Sequence, residues 1–344
     1  MSKQRKSKGA KSPGKSKQAA QPQSEQRGDE RLVAALDEGA GPTELWVRFA
    51  DAMLIGFIGL IIYLGSRPGG NGPVYAYRYG QMMLGVLSLV ILCWGVIASF
   101  RKPPLRRKGR IRGLVALVLV IGLGMNSFPY PSSREREPSA IHYQLPVEGE
   151  WRVYWGGEGS DANRYAGWFA DRRWGMALVR EVDGKRHAGD GSRSEDYYAY
   201  GQPVLAPASG LVVKLVDSQP DRPPGTRGSV DEPFGNHLVL EVAPGEYVFM
   251  CHLLAGSFEV AVLDQVELGQ PLAQVGNSGL STVVTEPHLA LHLQTTPREG
   301  LGEAIPWQFH DYLVGERLVE KGLPTGGMLS GGRLTGQLVR RAPR

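Results

Sequence analysis

Long runs of apolar residues mark the first part of the chain. Residues 79–100 and 113–133 contain no charged side chain. Each run is long enough for a helix to cross a bilayer hydrocarbon core of about 30 Å. Both runs are therefore predicted to span a membrane.

An earlier apolar run is shorter, with fifteen uncharged residues from Ala52 to Ser66. It reaches membrane length only if Trp46, Arg48 and Asp51 lie at the interface, with the Arg48 side chain reaching toward water. We include it, so the sequence predicts a membrane anchor over 46–133. The three predicted spans are about 46–66, 79–100 and 113–133.

The hydrophobic pattern changes after the anchor. Residues 134–146 are predicted to be a short linker, 147–320 a β domain and 321–344 a C-terminal tail. Short apolar or alternating runs separated by Gly-, Pro- and Asp-rich connections are typical of strands and turns. No apolar periodicity of helical length follows residue 134. The runs are GLVVKLV, NHLVLEV, EYVFMCHL and HLALHLQ.

The distribution of charge along the chain predicts its orientation in the membrane. Residues 1–31 carry nine Lys and Arg against three acids, and 101–112 carry seven Lys and Arg with no acid. Short basic loops remain on the cytoplasmic side, so the β domain is predicted to lie outside the cytoplasm. Residues 1–45 are predicted to be a disordered, basic cytoplasmic tail without a cleavable signal peptide. Because the positive charge lies where membrane orientation requires it, nucleic acid is not an expected partner, whereas the lipid bilayer is.

The two cysteines do not suggest a disulfide. Cys93 lies in an apolar run and Cys251 in the β domain. Cys251 precedes His252, but neighbours on a strand point to opposite faces, which argues against a Cys–His nucleophile. We expect Cys251 to be a small buried hydrophobic residue.

An ordered set of segments resembles the lysostaphin/LytM-type zinc endopeptidases of bacterial cell walls. The resemblance covers about 150 residues and includes His252, the Gly-Asn-Ser-Gly turn at 276–279 and the Pro287-His288 pair. It implies an all-β domain with a small antiparallel sheet or barrel-like core of the LytM (duplicated hybrid motif) type. It also implies a bacterial envelope protein, in the inner or cytoplasmic membrane. The segments are YGQPVLAPASGLVVKLVD, FGNHLVLEV, EYVFMCHLLAGSFEV, LGQPLAQVGNSG and TEPHLALHLQ.

The resemblance implies a zinc held by a His, an Asp and the second His of a His-x-His strand. The strand here reads His288-Leu-Ala290-Leu-His292, with Ala at the ligand position. His288 and His292 share a strand face but are about 13 Å apart at 3.3 Å per residue. Bonds from zinc to nitrogen are about 2 Å, so the two histidines cannot share one ion.

The other two ligand positions fall upstream. The resemblance places Ala177 at the Asp position and Tyr165, shortly after Asn163, at the first His position. A rival pair, His187 and Asp190, has a spacing one residue too short and lies far from the rest of the motif. We expect His187 to be a solvated loop residue.

Several polar residues remain. His252 and His288 match the family's two catalytic, non-ligand histidines, either as relics in a binding groove or as structural side chains of a half-buried strand. His237 and His310 are expected to be structural. Ser278 lies in a predicted β-turn, not in a nucleophile elbow, because residue 280 is Leu.

These residues predict a membrane-tethered, catalytically inactive LytM-like domain without a metal cofactor, which regulates or scaffolds peptidoglycan hydrolysis. The expected partner is a cell-wall hydrolase or peptidoglycan. One alternative is an active metalloendopeptidase with a rearranged zinc site. A second is a structural anchor that binds the wall.

Overall fold

A computed structural model describes most of the anchor and of the β domain. The predicted tail 1–45, except for its last residue, and residues 101–106 of the basic loop lie outside the described residues. The described ranges are 45–100, 107–125, 129–229, 231–281, 284–327 and 334–343.

Long helices form the N-terminal part, as the apolar runs predict. Two segments, Leu45–Gly65 and Asn71–Ile97, are long and apolar enough to cross a membrane. A π-helical turn at Ala76–Gly80 interrupts the second segment. The helices are α1 Leu45–Gly65, α2 Asn71–Tyr75, α3 Gln81–Ser99 and α4 Arg107–Met125.

The third apolar run differs most from its predicted span of 113–133. Helix α4 begins earlier, at Arg107, and ends at Met125, and residues 129–133 are not helical. Pro129 and Pro131 explain the non-helical end, because proline lacks the amide hydrogen and its ring clashes with the preceding turn.

Trp46 lies between the helices and not on their outer surface. The side chain is fully buried. A Cβ atom at Gly95 or Gly113 would lie 2.8 or 2.5 Å from the indole ring. Two glycines on neighbouring helices therefore make room for this large side chain of α1, as small residues commonly do between apolar helices.

The β domain is built on an open ten-stranded sheet in the order β11-β10-β12-β1-β2-β9-β6-β5-β4-β7, with a separate β3-β8 pair. Every strand pairing is antiparallel, which confirms the predicted all-β class, whereas the predicted barrel-like closure is absent from the described strands. The strands are β1 Trp151–Trp155, β2 Met176–Val179, β3 Pro203–Leu205, β4 Gly210–Val216, β5 His237–Ala243, β6 Glu246–Cys251, β7 Gln265–Val266, β8 Pro271–Gln274, β9 Leu289–Gln294, β10 Phe309–Val314, β11 Arg317–Gly322 and β12 Leu338–Arg341.

The packed domain extends beyond its predicted bounds at both ends. Tyr143 and Leu145, in the predicted linker, are fully buried in the main core. At the other end, β12 pairs with β1 and β10, although it lies in the predicted tail. Isolated apolar residues among polar ones give little periodicity, which explains why the sequence did not place these segments in the sheet.

The β domain contacts the helices directly. Tyr77 donates a hydrogen bond to the Gly167 carbonyl at 3.2 Å, and Arg78 donates to the Gly300 carbonyl at 2.9 Å. After the last helix, the Ser132 hydroxyl also donates a hydrogen bond to the Ala304 carbonyl at 3.0 Å. The α2–α3 segment and the non-helical end of the third apolar run are thus joined to the domain by specific polar contacts.

Candidate functional site

Two of the expected ligand positions face each other on neighbouring strands. Ala177 of β2 pairs directly with Ala290 of β9, and Ala290 pairs on its other side with Cys251 of β6. Directly opposed residues of an antiparallel pair have Cβ atoms about 4.5–5.5 Å apart. The strand register therefore brings residues 177 and 290 to one place, where both carry methyl groups.

The third expected position, Tyr165, packs against the same cluster as Ala177. It lies on a one-turn helix, α5 Arg164–Trp168, which begins after Asn163. The buried Asn163 side chain accepts a hydrogen bond from the Tyr165 amide at 3.1 Å and donates to the carbonyls of Gly157, Arg173 and Gly175. Burial raises the pKa of Tyr165 to about 12, so the phenol stays neutral.

Arg172 provides a positive charge at this site that the sequence reasoning did not assign. Its guanidinium carbon lies 4.6 Å from the Phe169 ring centre and 4.3 Å from that of Phe234. Its Nε atom donates to buried Asp171 at 3.2 Å. Within the described part of the chain, its two terminal nitrogens have no hydrogen-bond partner. The run Asp171-Arg172-Arg173, placed between two expected ligand positions, was the available sequence signal.

His252 and His288 come together, as the resemblance implies. Their ring centres are 4.6 Å apart. The Nδ1 atom of His252 is 2.8 Å from the Ser278 carbonyl, and that of His288 is 2.7 Å from the Glu286 carbonyl. A carbonyl can only accept, so both Nδ1 atoms carry the hydrogen, and each Nε2 keeps its lone pair.

Burial keeps both of these histidines neutral. It lowers the pKa of His288 to about 3 and that of His252 well below its usual value, with the neighbouring His288 adding to the effect on His252. His252 has a φ of 65° directly after β6 ends at Cys251. Strand alternation therefore stops there, and the prediction that residues 251 and 252 point to opposite faces does not apply. Cys251 is nevertheless a free, buried thiol whose pKa burial raises to about 12, which agrees with the predicted small buried residue.

His292 and His237 lie further along the same face. The His292 ring stacks on Phe249 with centres 4.8 Å apart, and burial lowers its pKa to about 3. His237 Nε2 is 3.0 Å from a carboxylate oxygen of Glu299, which also contacts Lys214. Hydrogen bonds from His237 and Lys214 lower the pKa of Glu299 to about 2. Both histidines are therefore held by packing or polar contacts on the same side of the sheet as residue 290.

The remaining predicted residues have local roles. His187 is half-buried against Tyr197, with ring centres 5.0 Å apart, so it is less solvated than predicted. Asp190 is exposed and accepts from the Ser192 amide. His310 stacks on His142. Ser278 donates to the Leu253 carbonyl and accepts from the Asn236 amide, which agrees with a turn residue.

A small cavity of about 80 Å³ opens beside Tyr165 and His252. We call it the cleft cavity. Its walls combine two arginines with aromatic and small polar side chains. The lining residues are Arg164, Tyr165, Trp168, Phe169, Arg172, Pro233, His252, Leu280 and Ser281.

The side chains present do not fit a catalytic zinc, which takes three protein ligands and an open position for water. Methyl groups at 177 and 290 offer no lone pair. A neutral phenol, whose pKa is about 12, is a poor ligand at 165. Among the described residues, no three His, Cys, Asp or Glu side chains are close enough to share a metal ion.

Comparison with known proteins identifies the domain. Residues 193–300 match the sequence model of Peptidase family M23. Over these residues the chain is similar to M23 peptidases. The M23 match includes His252, His288 and Ala290 but begins after Tyr165 and Ala177. Together with the antiparallel sheet, it confirms the LytM-type resemblance and relates the chain to peptidoglycan hydrolases.

Solved structures show only distant likeness to the chain. A variant of the catalytic domain of the prophage-encoded M23 protein EnpA from Enterococcus faecalis is 19% identical, over 48% of this chain and 93% of that one, with a TM-score of 0.29. The antimicrobial peptidase lysostaphin from Staphylococcus simulans is 17% identical over 47% and 51%, with a TM-score of 0.28. A zinc-containing peptidase from Vibrio cholerae is 18% identical over 49% and 41%, also with a TM-score of 0.29.

The match thus spans about half or less of the lysostaphin and Vibrio chains. The sequence identities and TM-scores are too low to carry a functional argument. No well-characterised protein matches the sequence significantly.

Proposed function

We propose that the chain is a membrane-tethered LytM-like protein that regulates or scaffolds peptidoglycan hydrolysis without cleaving peptides itself. The observation that carries the proposal is the direct pairing of Ala177 with Ala290 at two expected zinc-ligand positions. Without lone pairs at either position, one remaining side chain cannot hold a catalytic zinc. The domain then keeps the shape of a wall hydrolase while lacking its metal chemistry.

Arg172 supports this proposal. Its positive charge lies close enough to lower the pKa of both Tyr165 and Cys251, against the larger effect of burial. A fixed cation among the expected ligand positions repels a divalent metal ion. The same charge favours an anionic group in the cleft cavity, such as a carboxylate of a wall peptide or a partner protein.

The tether fits a role beside the membrane. Two apolar helical segments have the length of membrane spans, and polar contacts join them to the M23-bearing domain. Confinement to a membrane raises the effective concentration of a partner held in the same layer. The basic loop at 101–112 supports placing the domain outside the cytoplasm, in a bacterial inner membrane.

One alternative has a specific observation behind it. His252 and His288 are adjacent and neutral, and each keeps a lone pair on Nε2, the form in which histidine binds metal. An active endopeptidase with a rearranged zinc site would have to use this pair and recruit a further ligand by moving another side chain.

Zinc content and wall cleavage together test the proposal. The full chain is purified in detergent, its zinc is measured by elemental analysis, and cell-wall clearing is assayed. We expect no stoichiometric zinc and no clearing. Near-equimolar zinc with clearing activity would contradict the proposal and support the rearranged site, and His288→Gln would then abolish both.

A second experiment separates a regulator from a wall anchor. The full chain is immobilised and exposed in parallel to solubilised peptidoglycan fragments and to membrane extracts that contain wall hydrolases. A regulator retains a hydrolase and changes its cleavage rate, whereas an anchor retains only fragments. Arg172→Ala should reduce retention in either case, and Arg136→Ala, at an exposed linker position, is the control.

A further inference from the structure

A second, larger cavity of about 510 Å³ lies where α3 and α4 meet the β domain. We call it the junction groove and define it by Arg78, Gln81, Gly85, Leu89, Ile121 and Trp168. One end, next to the β domain, is polar, and the rest follows the apolar surface of the helices. An elongated groove of this kind matches an amphiphile better than a water-soluble ligand.

The polar end offers hydrogen-bond donors. The Nε2 atom of Gln81 is buried and has no partner among the described residues. A buried amide donor without a partner is rare, so an acceptor from a ligand is the simplest way to satisfy it. Arg78 lines the same end and uses Nη1 for the Gly300 carbonyl. Its guanidinium still adds positive charge and further donors, which favour a phosphate group.

The π-helical turn explains this placement. Arg78 belongs to the turn at Ala76–Gly80, and Gln81 is the first residue of α3. A π-helical turn shifts side chains relative to a regular helix, and such turns are frequent at functional sites. Here the turn brings both polar side chains to the mouth of the groove.

The apolar part has the dimensions of one leaflet. Gln81, Gly85 and Leu89 recur every four residues, so they lie on one face of α3. Eight residues of helix cover about 12 Å, close to half of a hydrocarbon core of about 30 Å. Gly85 leaves room at the centre, because a Cβ atom there would meet nothing within 4 Å. Ile121 of α4 lines the opposite wall.

We propose that the junction groove binds a phosphate-bearing membrane lipid from the leaflet next to the β domain. The acyl chain lies along Gly85 and Leu89 against Ile121, and the phosphate accepts hydrogen bonds from Arg78 and Gln81. The inference rests on the membrane placement proposed above, but not on whether the cleft binds zinc.

The groove and the cleft cavity share a wall. Trp168 of α5 lines both cavities, Gly167 lines the groove, and Tyr165 of the same short helix lines the cleft cavity. A lipid in the groove therefore contacts the element that carries one expected ligand position.

Lipid retention by the full chain tests the inference. Membrane fractionation first establishes that the chain and its variants are in the membrane. The proteins are then placed in nanodiscs with an excess of neutral lipid and a small fraction of phosphatidylglycerol, and retained lipid is measured by native mass spectrometry. Gly85→Leu fills the groove, and the matched control is Gly59→Leu on α1, where a Cβ atom also meets nothing within 4 Å.

We expect the parent chain to retain phosphatidylglycerol in preference to neutral lipid, and Gly85→Leu to lower that retention by roughly tenfold while Gly59→Leu does not. Arg78→Gln should cost roughly tenfold, as loss of a charged hydrogen bond does, and exposed Arg136→Gln should cost nothing. Inorganic phosphate should not displace the lipid. Equal retention by Gly85→Leu and Gly59→Leu, or displacement by phosphate, would overturn the inference. A chain absent from the membrane fraction would instead refute the membrane placement itself.

Discussion

The two faces of strand β9 carry very different kinds of residue. On one face Leu289, Leu291 and Leu293 are buried in the main core of the sheet. On the other, Ala290 stands between Ala177 and Cys251, where the LytM resemblance expects a zinc ligand. A single strand thus combines a packed core face with an alanine at the position where the resemblance expects a metal ligand.

The difference teaches that scaffold and chemistry are separable in this domain. The core face obeys the alternation that any half-buried strand needs, so it depends on apolar volume alone. A metal site on the cleft face would need particular lone pairs at particular positions, which apolar packing alone does not supply. Substitutions on the core face should therefore lower the free energy of unfolding strongly, whereas substitutions on the cleft face should change it little.

The largest effect is expected from Leu291→Ala, which leaves a cavity in the main core. Such truncations cost about 2–5 kcal/mol of unfolding free energy. On the opposite face, Ala290→Ser should cost less than about 1 kcal/mol, because it adds one small polar atom beside the cleft. Chemical denaturation of the full chain in detergent measures both. Equal destabilisation by the two changes would remove the contrast between the faces.

The next largest effect concerns the support of the cleft face. Asn163→Ala removes the cap of α5 and leaves three carbonyls, two of them buried, without their donor. We expect a loss of about 1–3 kcal/mol in unfolding free energy. Asp161→Ala, at an exposed position in the same loop, is the control. If Asn163→Ala were neutral, α5 would not be held by this side chain.

The third predicted effect is negligible at neutral pH and appears only as a pH dependence on the cleft face. Burial lowers the pKa of His292 from 6.5 to about 3, so the unfolded chain binds a proton at higher pH than the folded one. Its contribution to stability is full above pH 6.5 and is lost as the pH falls toward 3. His292→Gln should therefore flatten the decline by up to about 1.4 kcal/mol per pH unit.

Denaturation series between pH 7 and pH 4 measure that slope. Exposed His142→Gln is the control for losing a histidine. A slope that steepens in His292→Gln would show that the imidazole is not the group that resists protonation.

Much of the fold was predictable because it depends on periodic patterns. The runs around residues 210–216, 237–243, 246–251 and 289–294 are strands, and the first two apolar runs are long helices. The pattern did not reveal β12 or the burial of Tyr143, since isolated apolar residues have no periodicity to detect. The end of α4 at Met125 was also missed, although Pro129 and Pro131 provided the signal.

The candidate site was predictable only in part. Alternation along β9 placed Ala290 beside His288 and His292, and the family pattern suggested Ala177 and Tyr165. Arg172 was missed because its importance comes from the two rings that flank it, Phe169 and Phe234, and the latter is distant in sequence. The π-helical turn at Ala76–Gly80 likewise has no signature in the apolar run that contains it.

The zinc affinity of a reconstructed site tests the central claim most directly. Tyr165→His, Ala177→Asp and Ala290→His are combined, and zinc binding by the full chain is measured by competition with a chelator against the parent and each single variant. If these three positions surround one point, the combined variant should bind zinc at least about a hundredfold tighter than any single variant, because tight binding needs the full ligand set. A combined variant that binds no better than the parent would contradict the assignment, and tight zinc binding by the parent would contradict the loss of the site.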